Sequence, residues 1–542
     1  MNEFAASDAQ RRLWFIEACA ERQGAYAVAL AWRVAGPLDA GHLRACLRVL
    51  SQRHEALRTS FVERDGDLFQ RIADDGEVPL ALVDAGTTAP GALAALEMAR
   101  PFDLARGPLL RASLVTAGPE RVFVLCAHHL VVDGWSMGIL LRELAALHDD
   151  LRAPLPPLRL QYADYAVWQR ESARSPELLR QGLAFWSERL RGAPDVANLP
   201  VDRPRAVPLA DDGDSVPLAF DAELCEALRE LGRSRRASTF MVLAAALAVL
   251  LEGHGGDGDH AIGYPVANRT QPELEGVVGL FVNTAVLRVR LSLQDRFIDL
   301  LDRVREDVIC AQPYEDVPFD RVVEDLRPAR REDRTPLFQV MLALNNTGAE
   351  RLRLGQAVLT PLEQGCGAAK FDLTLDLTEG AGRIFGALEF RSALFDRGTV
   401  QRMGHDLQRL LVAAAGRPAS PLRDLVALRD DGADGPRRRA AAAAVAVEPG
   451  DALRPAGADV AARLAMLWRA VLGVESVVDT DNFFDAGGSS LLVSRLAAAI
   501  KKEFGISLPI RTLYRSHDFG HLAGLVESVG QASRAAEAEP IR

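Results

Sequence analysis

The sequence predicts a mixed α/β body of roughly 430 residues followed by a small all-helical unit, and three observations carry that reading. Segments rich in β-branched and aromatic residues alternate with segments of helical apolar spacing up to residue 429. Residues 430 to 457, DDGADGPRRRAAAAAVAVEPGDALRPAG, interrupt this alternation with Gly, Pro, clustered charge and an alanine tract, the composition of a linker. Beyond residue 457 only helical periodicity remains.

Taken in order, YAVALAWRVAG (26–36), ERVFVLCAHHLV (120–131), NTAVLRVRL (283–291) and RIFGALEFR (383–391) predict strands. GHLRACLRVLSQRHEALR (41–58) and SMGILLRELAALHDDL (136–151) carry apolar residues at helical spacing. A body of this size holds two lobes, here expected at 1–175 and 176–429, with the crossover within residues 174 to 206. The helical unit is expected at 458–530, before a tail at 531–542. Its first helix repeats Val460, Leu464, Leu467 and Val471 and stops at Gly473, the position where a left-handed residue ends a helix. A second repeats Leu492, Leu496 and Ile500, with Lys501 and Lys502 in its last turn and Gly505 after it. A third lies near FGHLAGLVESV, so a bundle of three or four helices fits.

Hydrophobic residues form 49% and charged residues 25% of the 542, a globular balance, and the net charge of −11 argues against nucleic acid as the main partner. The six cysteines show no CxxC spacing and read as thiols in a reducing compartment. MNEFAASDAQ lacks a signal-peptide pattern, and the longest apolar run, from Phe240, is shorter than the ~18 residues of a membrane span. A cytoplasmic protein without a membrane partner is expected.

Two stretches carry chemistry. AHHLVVDGWS (127–136) sets His128 and His129 beside Asp133 and Gly134. Adjacent strand residues point to opposite faces, so the pair is poorly arranged for one metal ion, and no metal site is expected. The residues alone leave each histidine open between a satisfied core position and a working position in a cavity. In DNFFDAGGSSLLVS (481–494), two glycines permit a sharp turn that places Ser490 on the first turn of the next helix. Helix-end N–H groups there favour an anionic substituent, although for an isolated GGSS a capping serine is the commoner reading.

Residues 458–530 resemble the peptidyl carrier domains of nonribosomal peptide synthetases, in which the serine of Gly-Gly-x-Ser-Leu receives 4′-phosphopantetheine. The resemblance assigns attachment to Ser490, since Leu491 follows it. It departs from the family at Ser489, where histidine or aspartate is usual. His-His-x-x-x-Asp-Gly also occurs in chloramphenicol acetyltransferase-like enzymes. SDAQRRLWF (7–15), RHEALRTSF (53–61), AHHLVVDGWS, YADYAVWQ (162–169), VGLFVNT (278–284) and REDRTPLFQVML (331–342) resemble, in order and spacing, the motifs of synthetase condensation domains over about residues 5 to 430.

The resemblance implies two chloramphenicol-acetyltransferase-like lobes in a V, then a four-helix-bundle carrier. It places His129 at the reacting centre and gives His128 and Asp133 a structural part. Arg288 is the expected partner of Asp133, Arg58 further supports the motif, and Gly134 admits substrate closely and offers its N–H to the oxyanion. AQPYEDVPFD (311–320) departs from the family's usual His-Gln-Asp and is expected to alter packing near the tunnel. The implied reaction is amide formation between a donor acyl or peptidyl thioester and an aminoacyl group on Ser490. The implied partners are an upstream donor carrier protein, a phosphopantetheinyl transferase, a trans-acting adenylation enzyme and a downstream synthetase domain. The linker has no room for an adenylation domain, so either another protein loads Ser490 in trans or the chain is cut from a longer synthetase, and the sequence does not decide between them. Starter or ester-forming acyl transfer, from acyl-CoA or to a hydroxyl acceptor, and a catalytically silent docking scaffold remain open alternatives.

Overall fold

Whether a sheet is covered on one face or two is written in its strands, and the two large sheets of this chain differ in that respect. The computed structural model describes residues 2–538 apart from 20–25, 87–89, 173–175, 207–208, 329–332, 346–351, 363–366, 381, 428–457, 484–485, 487–489, 507, 510–511, 514–515 and 517. The linker expected at 430–457 therefore lies outside the described residues.

In the first lobe, strands β1 (Asn2–Ala5), β3 (Thr59–Arg64) and β4 (Asp67–Ile72) make a small sheet of order β1-β4-β3, and α1 (Asp8–Cys19) follows β1. The large sheet uses β2 (Ala27–Ala35), β5 (Leu80–Asp84), β6 (Leu110–Ala117) and β7 (Glu120–His128). Helices α2 (Ala40–Arg53) and α4 (Gly134–Asp149) contribute to the cluster against one face, and α3 (Pro90–Ala99) to that against the other. β7 is thus buried on both sides, which is why VFVLCAH is an unbroken run of buried residues. The helix predicted over 41–58 stops at Arg53; His54 is extended and a 3₁₀ turn, Glu55–Arg58, takes over.

After α5 (Tyr162–Ser172) and α6 (Pro176–Leu190), the second lobe adds β8 (Gly213–Phe220), β9 (Asp259–Val266), β10 (Asn283–Arg290), β11 (Val340–Asn345), β14 (Leu373–Gly380) and β15 (Arg383–Arg391). They order as β10-β9-β11-β14-β15-β8. Helices α7 (Ala222–Arg235), α8 (Thr239–Gly253), α9 (Phe297–Ala311) and α11 (Arg397–Gly416) share one core with a single face of this sheet. On β14, Leu373, Leu375 and Leu377 are buried in that core, while Thr374, Asp376 and Thr378 alternate onto the other face. The short α10 (Phe319–Leu326) and α12 (Leu422–Val426) complete the lobe. No single described helix is long and apolar enough to cross a membrane; α8 is a core helix, with Met241–Leu251 buried throughout.

One boundary needs correction. The lobes are not contiguous at residue 175, because β12 (Leu352–Leu354) and β13 (Ala357–Pro361) leave the second lobe and join the first. β13 pairs with β2, Val358 facing Ala35 and Pro361 facing Trp32, so the first sheet reads β12-β13-β2-β7-β6-β5. Leu354, Ala357 and Leu359 are fully buried in the first lobe's core, and that burial holds the excursion in place.

The carrier unit has α13 (Ala458–Leu472), α14 (Ser490–Phe504) and a closing helix, Phe519–Ala538. The closing helix runs through most of the stretch expected as a tail. Residues 512–513 are also helical. Trp468 anchors the core, meeting Phe483 and Phe519 edge-on at 5.0 and 5.2 Å. Gly473 and Gly505 end α13 and α14 with φ of 70° and 74°, as their positions predict.

Leu359→Ala is expected to cost about 2–5 kcal/mol, as core truncations do. Amide exchange should report the loss in β2 of the first lobe rather than in the second lobe's sheet. Protection lost only around residues 373–391 would contradict the shared sheet.

Candidate functional site

The site is built where β7 ends. His128 is the last residue of the strand and is buried; its Nδ1 accepts the N–H of Leu130 at 3.2 Å, so its proton sits on Nε2. That Nε2 faces Glu17 Oε1 at 3.9 Å, and the ring meets Phe102 edge-on. His129 follows in the turn and is half-buried; its backbone N–H donates to Tyr26 O at 2.9 Å. Its Nδ1 donates to the carbonyl of Val132 at 2.9 Å. A carbonyl can only accept, so the neutral ring carries its proton on Nδ1 and presents Nε2 as a lone pair. Burial, with the charge of Lys370, lowers the His129 pKa to about 3. The ring is neutral at physiological pH.

Asp133 caps α4, accepting the Ser136 N–H on Oδ1 at 2.7 Å. Its Oδ2 accepts the Phe281 N–H at 3.0 Å, and Arg269 Nη2 lies 3.3 Å from Oδ1. Arg269 also donates to Ser136 Oγ at 2.9 Å and to the Val277 carbonyl at 2.7 Å, and stacks on Phe281 at 4.0 Å. Ser136 Oγ closes the knot with Gly279, donating to its carbonyl at 2.9 Å and accepting its N–H at 3.1 Å. Gly279 is required there, since a Cβ would fall 1.9 Å from the Tyr162 ring.

Two expected supports are corrected by this geometry. Arg288 does not pair with Asp133. It lies on β10 and binds Asp259 across the antiparallel pair with β9, at 2.6 Å, with further bonds to the carbonyls of Arg191 and Gly192. The Asp133 partner is Arg269, in the turn after β9, which the sequence reading missed. ANRTQ carries no periodicity to mark it, and the pairing exists only because residues 269–281 fold back onto α4. Arg58 points elsewhere too, bonding the Ala73 carbonyl and Glu55 rather than the histidine motif.

Gly134 opens α4 and is exposed, and among the described residues no atom beyond its chain neighbours and its own helix backbone lies within 4 Å of where its Cβ would stand. The space above this helix N-terminus is therefore open to a reacting group. The segment that departs from the expected pattern is tied down rather than loose. Tyr314 stacks on Phe185 at 4.5 Å, Glu315 accepts from Tyr264 at 2.9 Å, and Asn283 donates to the carbonyls of Glu315 and Val317 at 2.8 Å.

Sequence reasoning also missed the seat of the carrier unit. Trp14 and Phe15 of α1 pack into the carrier's own hydrophobic cluster. Gly66, with φ +79°, lets the β3–β4 turn meet α14, where a Cβ would lie 2.7 Å from Arg495 Cα. Lys501 stands close enough to Glu63 to offset part of the burial that pushes its carboxyl up. Ser490 begins α14; Gly487, Gly488 and Ser489 lie outside the described residues.

A neutral, half-buried histidine beside a helix N-terminus, in a body of two acetyltransferase-like lobes with a helical carrier unit against the first, is an arrangement suited to the acyl-transfer class of protein. The condensation-domain family matches residues 1–434, and the phosphopantetheine attachment site family matches 462–526. The dimodular nonribosomal peptide synthase of Bacillus subtilis is 41% identical over 77% of this chain and 18% of its own length. Phosphinothricin tripeptide synthetase PhsC of Streptomyces viridochromogenes is 38% identical over 78% of this chain and 40% of its own length. The X-domain from teicoplanin biosynthesis superposes with a TM-score of 0.69 at 30% identity, over 78% of this chain and 98% of the X-domain. The chain belongs to the condensation-domain family of nonribosomal peptide synthetases and carries a phosphopantetheine attachment domain behind it. It spans well under half the length of these synthetases.

Arg269→Leu leaves the buried Asp133 carboxylate unpaired and is expected to cost about 3–5 kcal/mol in denaturant unfolding. Arg288→Leu leaves Asp133 paired and should spare the motif; the opposite ranking of the two variants' activities would restore Arg288 as its support. His129 adds a pH dependence. Its folded pKa lies below the ordinary 6.5, so from about 6.5 down to about 3 the unfolded chain binds a proton that the folded chain refuses. Stability therefore falls across that window as pH falls. His129→Gln is expected to lose less stability than the native chain between pH 6.5 and 4 in denaturant titrations, and an equal loss would contradict the neutral ring.

Proposed function

We propose that this chain forms an amide bond between a donor acyl or peptidyl thioester, presented by a separate carrier protein, and the α-amine of an aminoacyl group held on Ser490. The observation that carries this reading is the His129 ring, fixed by Val132 so that its unprotonated Nε2 is left for a donor N–H. The seat of the carrier on α1 and the β3–β4 turn supports its role as the acceptor carrier.

Ser490 fits the attachment of 4′-phosphopantetheine. It is the first residue of a 15-residue helix, so an anionic phosphodiester joined to it is attached at the positive helix end. When bound, that group supplies the thiol on which the aminoacyl moiety is held as a thioester.

The remaining chemistry belongs to the protein. An α-amine has a pKa near ~8 and is partly neutral at cellular pH, so it needs little help to become a nucleophile. A base with a pKa of about 3 is too weak to take a proton from an ammonium, but accepts a hydrogen bond from a neutral amine well. His129 therefore orients the amine, and the N–H groups at the start of α4, Gly134 included, face the developing oxyanion. Positioning of two reactants supplies up to ~7–11 kcal/mol in favourable cases, against ~10²–10⁴-fold for a general base, so positioning dominates. A trans-acting adenylation enzyme and a phosphopantetheinyl transferase load Ser490, an upstream carrier delivers the donor, and a downstream synthetase domain receives the product. The reading assigns the chain to the cytoplasm.

The test loads Ser490 with aminoacyl-pantetheine from synthetic aminoacyl-CoA, adds acyl-loaded donor carriers and follows the intact mass of the chain. A mass gain equal to the donor acyl group is expected, slowed about 10²-fold or more in His129→Ala. Undiminished turnover in that variant would remove His129 from the reaction. Gain only with a hydroxyl acceptor or an acyl-CoA donor would replace amide synthesis by ester or starter chemistry, and loading without any gain would leave a docking scaffold.

A further inference from the structure

The stretch DLTLDL (372–377) holds two aspartates with opposite surroundings. Asp372 is buried in a knot of arginines, with Arg205 and Arg391 both on its carboxylate. Asp376, four residues on, lies on the face of β14 turned away from the helices and has no ion pair among the described residues. Its hydrogen bond comes from Asn345 Nδ2 at 2.9 Å.

The register around Asp376 describes a recess. Directly across β11 its neighbour is Ala343, across β15 it is Ala387, and beyond Ala387 on β8 it is Pro217. The rows on either side are larger: Met341, Thr374 and Glu389 on one, Asn345, Thr378 and Phe385 on the other. One carboxyl thus stands at the floor of a row of small side chains, with Glu389 diagonal to it and Phe385 exposed at the rim. Lys370 leads into β14 and spans to the first lobe, its ammonium 5.0 Å from the centre of the Tyr26 ring. Tyr26 in turn holds the backbone of His129, so this wall belongs to the reaction cleft.

We propose that Asp376 is a specificity-determining residue of the cleft, which with Glu389 and Asn345 receives an amine or guanidine on the side chain of the tethered substrate. This deepens the condensation reading and rests on it. The charges that face Asp376 are Glu389 from β15, repelling, and Lys370 from the approach to β14, attracting; β11 contributes the Asn345 amide, and the β8 neighbours are uncharged. Burial, reinforced by Glu389, pushes the Asp376 carboxyl up to about 7. A bound cation supplies the missing charge and favours the ionised carboxyl. Binding therefore releases a proton near neutrality, and affinity rises as pH rises through 7.

The experiment uses the full chain and stable amide analogues of lysyl- and norleucyl-pantetheine, which differ by the side-chain ammonium. Calorimetry in two buffers of different ionisation heat is expected to show the lysyl analogue binding at least about tenfold tighter at pH 8, with proton release and a preference that shrinks below pH 7. Asp376→Asn removes the preference and the proton release while leaving the thermal midpoint unchanged, and Ala387→Leu blocks the recess for either analogue. Norleucyl binding equal to lysyl, or a preference that survives Asp376→Asn, overturns the proposal. Condensation run in parallel, with the same side-chain pair offered first on Ser490 and then on the donor carrier, separates the two readings. Turnover without a cationic preference in either arm sinks only this inference, whereas no turnover with any substrate sinks the condensation reading beneath it.

Discussion

The buried pair of Asp133 and Arg269 is the constraint on which the working geometry depends. Both residues are almost wholly buried, so their charges are tolerable only because each is paired with the other and hydrogen-bonded to its surroundings. Asp133 takes the Ser136 and Phe281 N–H groups besides the guanidinium, and Arg269 takes the Val277 carbonyl and the Ser136 hydroxyl. An apolar pair of similar volume could stabilise the fold as well. What it could not do is hold the start of α4 against residues 269–281 in one register. The pair contributes position, and His129 and Gly134 inherit it.

The cleft uses one physical effect in two directions. Desolvation disfavours whichever form of a group is charged, so it drives His129 to the neutral base and Asp376 toward the neutral acid. At His129 the Lys370 ammonium works with burial, and at Asp376 it works against it. One lysine of the second lobe thereby acts on both groups.

The two lobes are coupled by backbone as well as by side chains. β13 completes the first sheet from within the second half of the chain, and in chain order the excursion falls between β11 and β14 of the second sheet. A change in the angle between the lobes must therefore pull on strands that are hydrogen-bonded in both. Among the described residues the carrier rests on α1 and the β3–β4 turn of the first lobe, whereas the wall carrying Asp376 belongs to the second.

Much of this was legible in the sequence because local rules and the tertiary environment agree. The strands at 26–36, 120–131, 283–291 and 383–391 were readable from β-branched runs, and Gly473 and Gly505 marked helix ends that the backbone confirms with positive φ. Spacing alone singled out AHHLVVDGWS and GGSSL, and the family resemblance supplied their roles. What the sequence could not supply were relations between residues far apart in the chain. Arg288 and Arg269 are both arginines within twenty residues of each other, and only the fold-back of residues 269–281 decides which meets Asp133. Residues 352–361 fall within the bounds expected for the second lobe until pairing with β2 and burial of Leu354 and Leu359 place them in the first. The sequence by itself determined which elements form and which residue types are present for the chemistry, because those follow from period and local backbone preference. Only the tertiary structure decided which charges are paired, which are buried and which face the cleft, because pairing and desolvation depend on neighbours that no local pattern encodes.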